Sequence, residues 1–119
     1  MEPWKIRDVL FSQGISPKLK GFHYLIRTLS MMLSTRCADV DEAARVIRLV
    51  GGSNPRQVET CMRYAIHRAW DLEEGSIREE FPNLSYPPAV LEYLLVTQWR
   101  LEACCGEDRE KVDKRIRGM

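Results

Sequence analysis

The sequence lacks long apolar runs. No stretch of its 119 residues approaches the ~18 consecutive apolar residues that a membrane-spanning helix needs. The opening MEPWKIRDVLF has no charged, apolar and small-residue layout of a signal peptide, so a cytoplasmic location is expected. There is no alternating strand pattern, internal repeat or low-complexity segment. GxSxG, Walker-type and GxGxxG loops are all missing. Without them the chain offers neither a nucleophile elbow nor a phosphate cradle, and no enzyme is expected. His23, His67 and the four cysteines invite zinc, yet no CxxC or HxxxH spacing occurs. Adjacent Cys104 and Cys105 are too close for a usual tetrahedral ligand pair, so neither metal nor cofactor is expected. With Cys37 and Cys61 standing alone, they also make a poor disulfide framework, which fits a reducing compartment.

Acid is scarce in one place. Between Asn54 and Asp71 the only carboxylate is Glu59. The net charge of +1 conceals a split: residues 1–70 carry 11 Lys/Arg against 6 Asp/Glu, a net +5, and residues 71–119 carry 7 against 11, a net −4. A basic first part suits a polyanionic partner, although many domains that bind nothing charged show a similar split.

What is present is helical periodicity throughout. Residues 4–13 place Trp4, Ile6, Val9 and Leu10 on one side, with Gly14 as a stop. Ser16 and Pro17 then read as cap and first residue of a long helix, roughly Pro17 to Leu33. Leu19, Phe22, Leu25, Ile26, Leu29, Met32 and Leu33 make its broad apolar face, and Met31 and Met32 read as core filler. Gly21 inside this helix costs about 1 kcal/mol of propensity against Ala. Close approach of another helix would explain it. Residues 34–39 read as a loop. Asp39 or Asp41 caps a helix that buries Val40, Ala43, Ala44, Val46, Ile47 and Val50.

Gly51 and Gly52 end that helix and turn the chain. Asn54 caps the next, Pro55 suits its first position, and Gln57 stands where a capping box wants Glu or Gln. Over residues 41–70 this is helix, tight turn, helix. Val58, Cys61, Met62, Ala65, Ile66 and Ala69 form the second helix's buried stripe, and Trp70 anchors its end. The opposite face carries Arg56, Gln57, Thr60, Arg63, Tyr64 and His67, with Arg68 beside them. An ordinary solvated face mixes Glu and Lys nearly equally. These side chains instead are the ones that bond phosphates and base edges. A plain exposed helix with some arginines is the bland alternative.

Residues 76–81 suit a short helix capped by Ser76 and stopped before Pro82. From Pro88 the pattern is helical again. Val90, Leu91, Leu94, Leu95, Gln98, Trp99 and Leu101 surround most of that helix, which makes it either deeply buried or partner-bound. Gly106 offers a stop. The tail 107–119 is almost wholly charged and is either a solvated helix extension or a frayed end. The expected fold is therefore all-α, about six helices with a helix-turn-helix and no wing, in one domain over residues 1–106 with a charged tail behind it.

Two runs carry a resemblance: GISPKLKGFHYLIRTLSMML (Gly14–Leu33) and RQVETCMRYAIHRAW (Arg56–Trp70). They resemble the DNA-binding effector domain of the sporulation master regulator family, stage-zero sporulation protein A of endospore-forming bacteria. That family shares a Gly-Ile/Val opening, a Lys-Gly-aromatic start to its long helix and a Ser-Met near that helix's end. Its recognition helix closes with an Ala-Ile-x-x-Ala-Trp pattern, matched by Ala65, Ile66, Ala69 and Trp70. Trp99, Arg100, Leu101 and Glu102 are similar to its last helix. The similarity covers most of residues 4–102. It implies a six-helix domain that binds a short double-stranded DNA box, as a head-to-tail pair meeting through the last helix, and that contacts RNA polymerase to regulate transcription.

The departures bear on function. Gln57 and Thr60 stand where the family typically carries Arg, and Tyr64 where it has His, while Arg63 and Glu59 match. A good bidentate base contact is worth about 1–3 kcal/mol of discrimination. An altered box or weaker binding is expected. The segment between the long helix and the turn is also shorter. The family's full protein carries a phospho-accepting receiver domain ahead of this one, absent from this sequence, as expected for either a fragment or a stand-alone relative. On this reading Gln57, Thr60, Arg63 and Tyr64 face bases. Arg56, His67, Arg68, Lys18 and Lys20 take phosphates. The alternative is a protein–protein module that kept the fold, lost DNA and pairs with a related regulator through the apolar surface of residues 90–101.

Overall fold

Six helices follow one another in the computed structural model, which describes the backbone of residues 3–117 and the side chains of residues 5–103. They are α1 (Pro3–Gln13), α2 (Lys20–Thr35), α3 (Val40–Gly51), α4 (Pro55–Leu72), α5 (Ile77–Glu80) and α6 (Val90–Arg117). Among the described residues there is no strand, and no helix is long and apolar enough to cross a membrane. The fold is all-α, as the periodicity predicts.

The most extensive helix contact is α2 against α4. Phe22, Leu25, Leu29 and Met32 of α2 are buried, as are Val58, Met62, Ala65, Ile66 and Ala69 of α4. The two backbones meet at Gly21. A Cβ there would lie 2.2 Å from the carbonyl oxygen of Cys61 and 2.8 Å from Cβ of Ala65. Glycine is the residue that lets the helices come this close, and the propensity cost read from the sequence has its reason here.

Helix ends show where local chemistry overrode the pattern. Pro17 is not the start of α2. The Ser16 hydroxyl accepts from the Lys18 amide at 3.3 Å, and the Leu19 amide donates to the Ser16 carbonyl at 3.3 Å. Ser16 thus closes a local turn, which competes with helix capping, and α2 begins at Lys20. At its other end α2 runs past Leu33. Ser34 and Thr35 are helical and return their hydroxyls to the carbonyls of Ser30 and Met31 at 3.1 and 3.0 Å. Asp39, rather than Asp41, caps α3 by accepting from the Glu42 amide at 2.9 Å. Val40, expected on the buried side, is 47% exposed. It holds the first helical position between the exposed Asp39 and Asp41.

α6 packs on α2, α3 and α4. Val90, Tyr93, Leu94, Leu95 and Leu101 are buried, whereas Trp99 is 51% exposed. The apolar surround read from the sequence is therefore open at Trp99. The helix also passes Gly106, where a stop was expected, and continues to Arg117. The expected core role of Trp4, the pair Cys104–Cys105 and the charged tail side chains lie outside the described side chains. Inside the core a polar group links the first and last helices. The Tyr93 hydroxyl donates to Gln13 Oε1, and Gln13 Nε2 donates to Thr97 Oγ1 at 3.4 Å. Gln98 Nε2 donates to the Cys37 carbonyl at 2.7 Å and holds the α2–α3 connection against α6.

Two stability predictions follow from this packing. Gly21→Ala gains helix propensity of about 1 kcal/mol but must push apart two backbones. Overpacking of this kind costs about 1–3 kcal/mol. A net loss in the urea midpoint is expected, and equal or greater stability of the variant would show that the crossing is looser than described.

Tyr93 supplies the second. Burial pushes its phenol above the ordinary value of 10.0. The unfolded chain releases that proton from about pH 10 upward, while the folded chain keeps it. The stabilising contribution is intact below about pH 10 and falls as pH rises above it. Tyr93→Phe leaves Gln13 short of a partner, at a cost of about 1–3 kcal/mol near neutral pH. It should also flatten the alkaline fall in urea-melt stability. An unchanged alkaline slope would assign that slope to other groups.

Candidate nucleic-acid interface

α4 is capped at its start by side chains. The Gln57 amide donates to Asn54 Oδ1 at 3.2 Å, and Asn54 Nδ2 donates to Gln57 Oε1 at 3.0 Å. Gln57 thus reaches back to the cap's side chain, not to its backbone amide as in the capping box proper. Pro55 occupies the first turn. The turn before it uses Gly52 at φ +57°, a conformation that favours glycine, while Gly51 is still the last residue of α3. The Asn54 amide donates to the Gly51 carbonyl at 3.0 Å and closes the turn.

At its other end α4 is anchored by Trp70, which is buried. The guanidinium of Arg78 lies 5.0 Å from the Trp70 ring centre, and its Nε donates to the Trp70 carbonyl at 2.9 Å. Arg78 also pairs with Glu73 at 2.7 Å. The helix continues to Leu72 and ends at Glu73 in the left-handed conformation. Cys61, expected on the buried stripe, is half-buried at the stripe's edge.

With both ends fixed and one stripe buried, the other side of α4 is presented outward. Arg56, Gln57, Thr60, Arg63, Tyr64, His67 and Arg68 are all exposed, as are Lys18 and Lys20 before and at the start of α2. Tyr64 shows 55% of its surface, high for so large a side chain. The structure brings Lys18 and Arg68 to one cleft of about 510 Å³, which Glu74 also lines. Lys18 reaches it because the Ser16 turn carries the chain past the C-terminal half of α4.

Several of these side chains are engaged already. Arg63 pairs with Glu59 one turn earlier at 2.8 Å, with both side chains well exposed. The Thr60 hydroxyl donates to the Arg56 carbonyl at 2.9 Å, which leaves its lone pairs outward. Glu59 is thus held by the cation beside it, and Asp71, exposed in the last turn of α4, is the second carboxylate of that face. One residue that the pattern of α4 alone could not supply is Arg48. It lies in the last turn of α3, is exposed, and lines a cleft together with Arg56. Only the turn between α3 and α4 brings it there.

Among the described residues no group of three or more His, Cys, Asp or Glu is placed to hold a metal ion. No family model, curated protein or solved structure matches the chain.

An exposed ion pair one helical turn apart contributes about 0.3–0.5 kcal/mol. Glu59→Gln and Arg63→Ala should each shift the unfolding free energy by no more than about that amount, measured by thermal or urea melts. A loss above about 1 kcal/mol would give the pair a structural role that its exposure does not suggest.

Proposed function

We propose that this domain binds duplex DNA sequence-specifically and regulates transcription, with α3 and α4 acting as a helix-turn-helix and α4 lying in the major groove. The observation that carries this reading is the outward face of α4. It combines five cationic or hydrogen-bonding types, Arg, Gln, Thr, Tyr and His, with Glu59 and Asp71 as its acids, on a helix whose rotation is fixed by its buried stripe. A major groove admits such a helix, and Arg, Gln, Thr and Tyr reach base edges and phosphates. The resemblance to the sporulation regulator's effector domain supports the same reading. It adds pairing of two copies on DNA through α6 and contact with RNA polymerase.

Gln57, Thr60, Arg63 and Tyr64 read bases in this arrangement. Arg56, His67, Arg68, Lys18 and Lys20 hold the backbone. A second reading has one observation in its favour: Trp99 stands exposed on α6, as a docking residue for another protein would. In that case the fold pairs with a related regulator and leaves DNA alone.

Fluorescence anisotropy separates them, using a duplex with the sporulation regulator's box, a scrambled duplex and two salt concentrations. More than about tenfold preference for the box, with affinity falling as salt rises, is the expected result. Arg63→Ala should remove about 1–3 kcal/mol of that preference while the fold survives. Equal, salt-sensitive binding to both duplexes would mean a different box. An absence of binding at low salt would leave the protein-pairing reading.

A further inference from the structure

We propose that Arg48 is a DNA-backbone contact: with Arg56 it forms one of two cationic grips, and Lys18 with Arg68 forms the other, so that α4 is held to the DNA backbone near both of its ends. The proposal rests on the DNA-binding reading and adds to it a residue on α3 and a division of labour among the cations.

Arg48 and Arg56 line one cleft of about 240 Å³ together with Glu59, and its apolar lining includes Ala44, Ile47 and Pro55. Two arginines placed together repel each other unless an anion lies between them. Glu59 makes its ion pair through Oε1 with Arg63 and not with either arginine of the cleft. Among the described residues neither Arg48 nor Arg56 has an ion-pair partner. The same holds for Lys18 and Arg68 at the other cleft. A phosphate diester is the anion that suits an exposed arginine fork.

The spacing decides how the grips divide. At ~1.5 Å of rise per residue, Arg56 and Arg68 stand about 18 Å apart along α4. One phosphate cannot serve both. The two grips therefore hold separate phosphates, and the base-facing residues Gln57, Thr60, Arg63 and Tyr64 lie between them along the helix. Neither grip touches a base edge, so both contribute affinity without sequence preference.

The test uses the same anisotropy titration on box and scrambled duplexes over a salt series. Arg48→Ala should weaken binding to both duplexes by the same factor and reduce the slope of log affinity against log salt by about one. Arg48→Lys should restore the slope. Arg45→Ala, an exposed cation of α3 outside the cleft, should leave it unchanged. In double variants, losses from Arg48→Ala and Arg68→Ala should add. Those from Arg48→Ala and Arg56→Ala should fall short of their sum, because the two share a phosphate. Thermal melts confirm that the variants fold. If the unaltered protein binds DNA but Arg48→Ala keeps its salt slope, or changes the ratio of box to scrambled affinity, the grip is overturned and the DNA-binding reading stands. Full additivity of the Arg48 and Arg56 losses would overturn their pairing. No salt-dependent binding by the unaltered protein would overturn both.

Discussion

The crossing of α2 over α4 at Gly21 is the constraint on which the rest of the structure depends. With a hydrogen in place of a side chain, the carbonyl of Cys61 lies directly against the α2 backbone. That contact fixes how far apart the two helices stand and how α4 is rolled about its axis. Once the roll is set, Val58, Met62, Ala65, Ile66 and Ala69 must point inward. Residues 56, 60, 63, 64 and 67 are left outward by the helical period alone.

The positioning comes from burial more than from charge. The described ion pairs at Arg63–Glu59 and Arg78–Glu73 are well exposed, and such pairs contribute about 0–1 kcal/mol each. A single fully buried Leu or Phe contributes about 1.5–3 kcal/mol. Among the described residues the most shielded ion pair is Arg100–Glu80, whose Glu80 is largely buried, and it joins α6 to α5 and involves no residue of α4. Charges on that face are therefore spare as far as folding is concerned, which is the condition under which a binding surface can vary without unfolding its scaffold.

Features set by composition along one helix were legible in the sequence. The Asn54 cap, the stripe of α4 and the meaning of Gly21 could be read from residue type and spacing, because each depends on neighbours within one or two turns or on a single missing side chain. The start of α2 could not. Ser16 has two local uses, a helix cap and a turn, and its bonds to the Lys18 and Leu19 amides make the turn. Val40 was misread for a related reason: periodicity reports which face is apolar, and not whether a partner helix reaches its ends; for Trp99 the two readings, buried or partner-facing, were both open, and the structure leaves it exposed. Arg48 belonged to a different helix from the candidate face, and only the α3–α4 turn places it beside Arg56.

On the DNA-binding reading, the engaged side chains of α4 bear on which of them discriminates. Gln57 has its carbonyl oxygen committed to the Asn54 amide, so a bidentate grip on adenine through both amide atoms must share or give up a cap bond. Thr60 retains only acceptor capacity while its hydroxyl proton points at the Arg56 carbonyl. Arg63 has one guanidinium nitrogen on Glu59, yet that leaves further donors free and limits the rotamers it must lose on binding. Exposed and bonded at one edge only, Arg63 is the side chain of this face best prepared to reach a guanine. Discrimination should then be concentrated at the base pair it meets, with Gln57 and Thr60 adding less than the arginines that the sporulation family typically carries in their places.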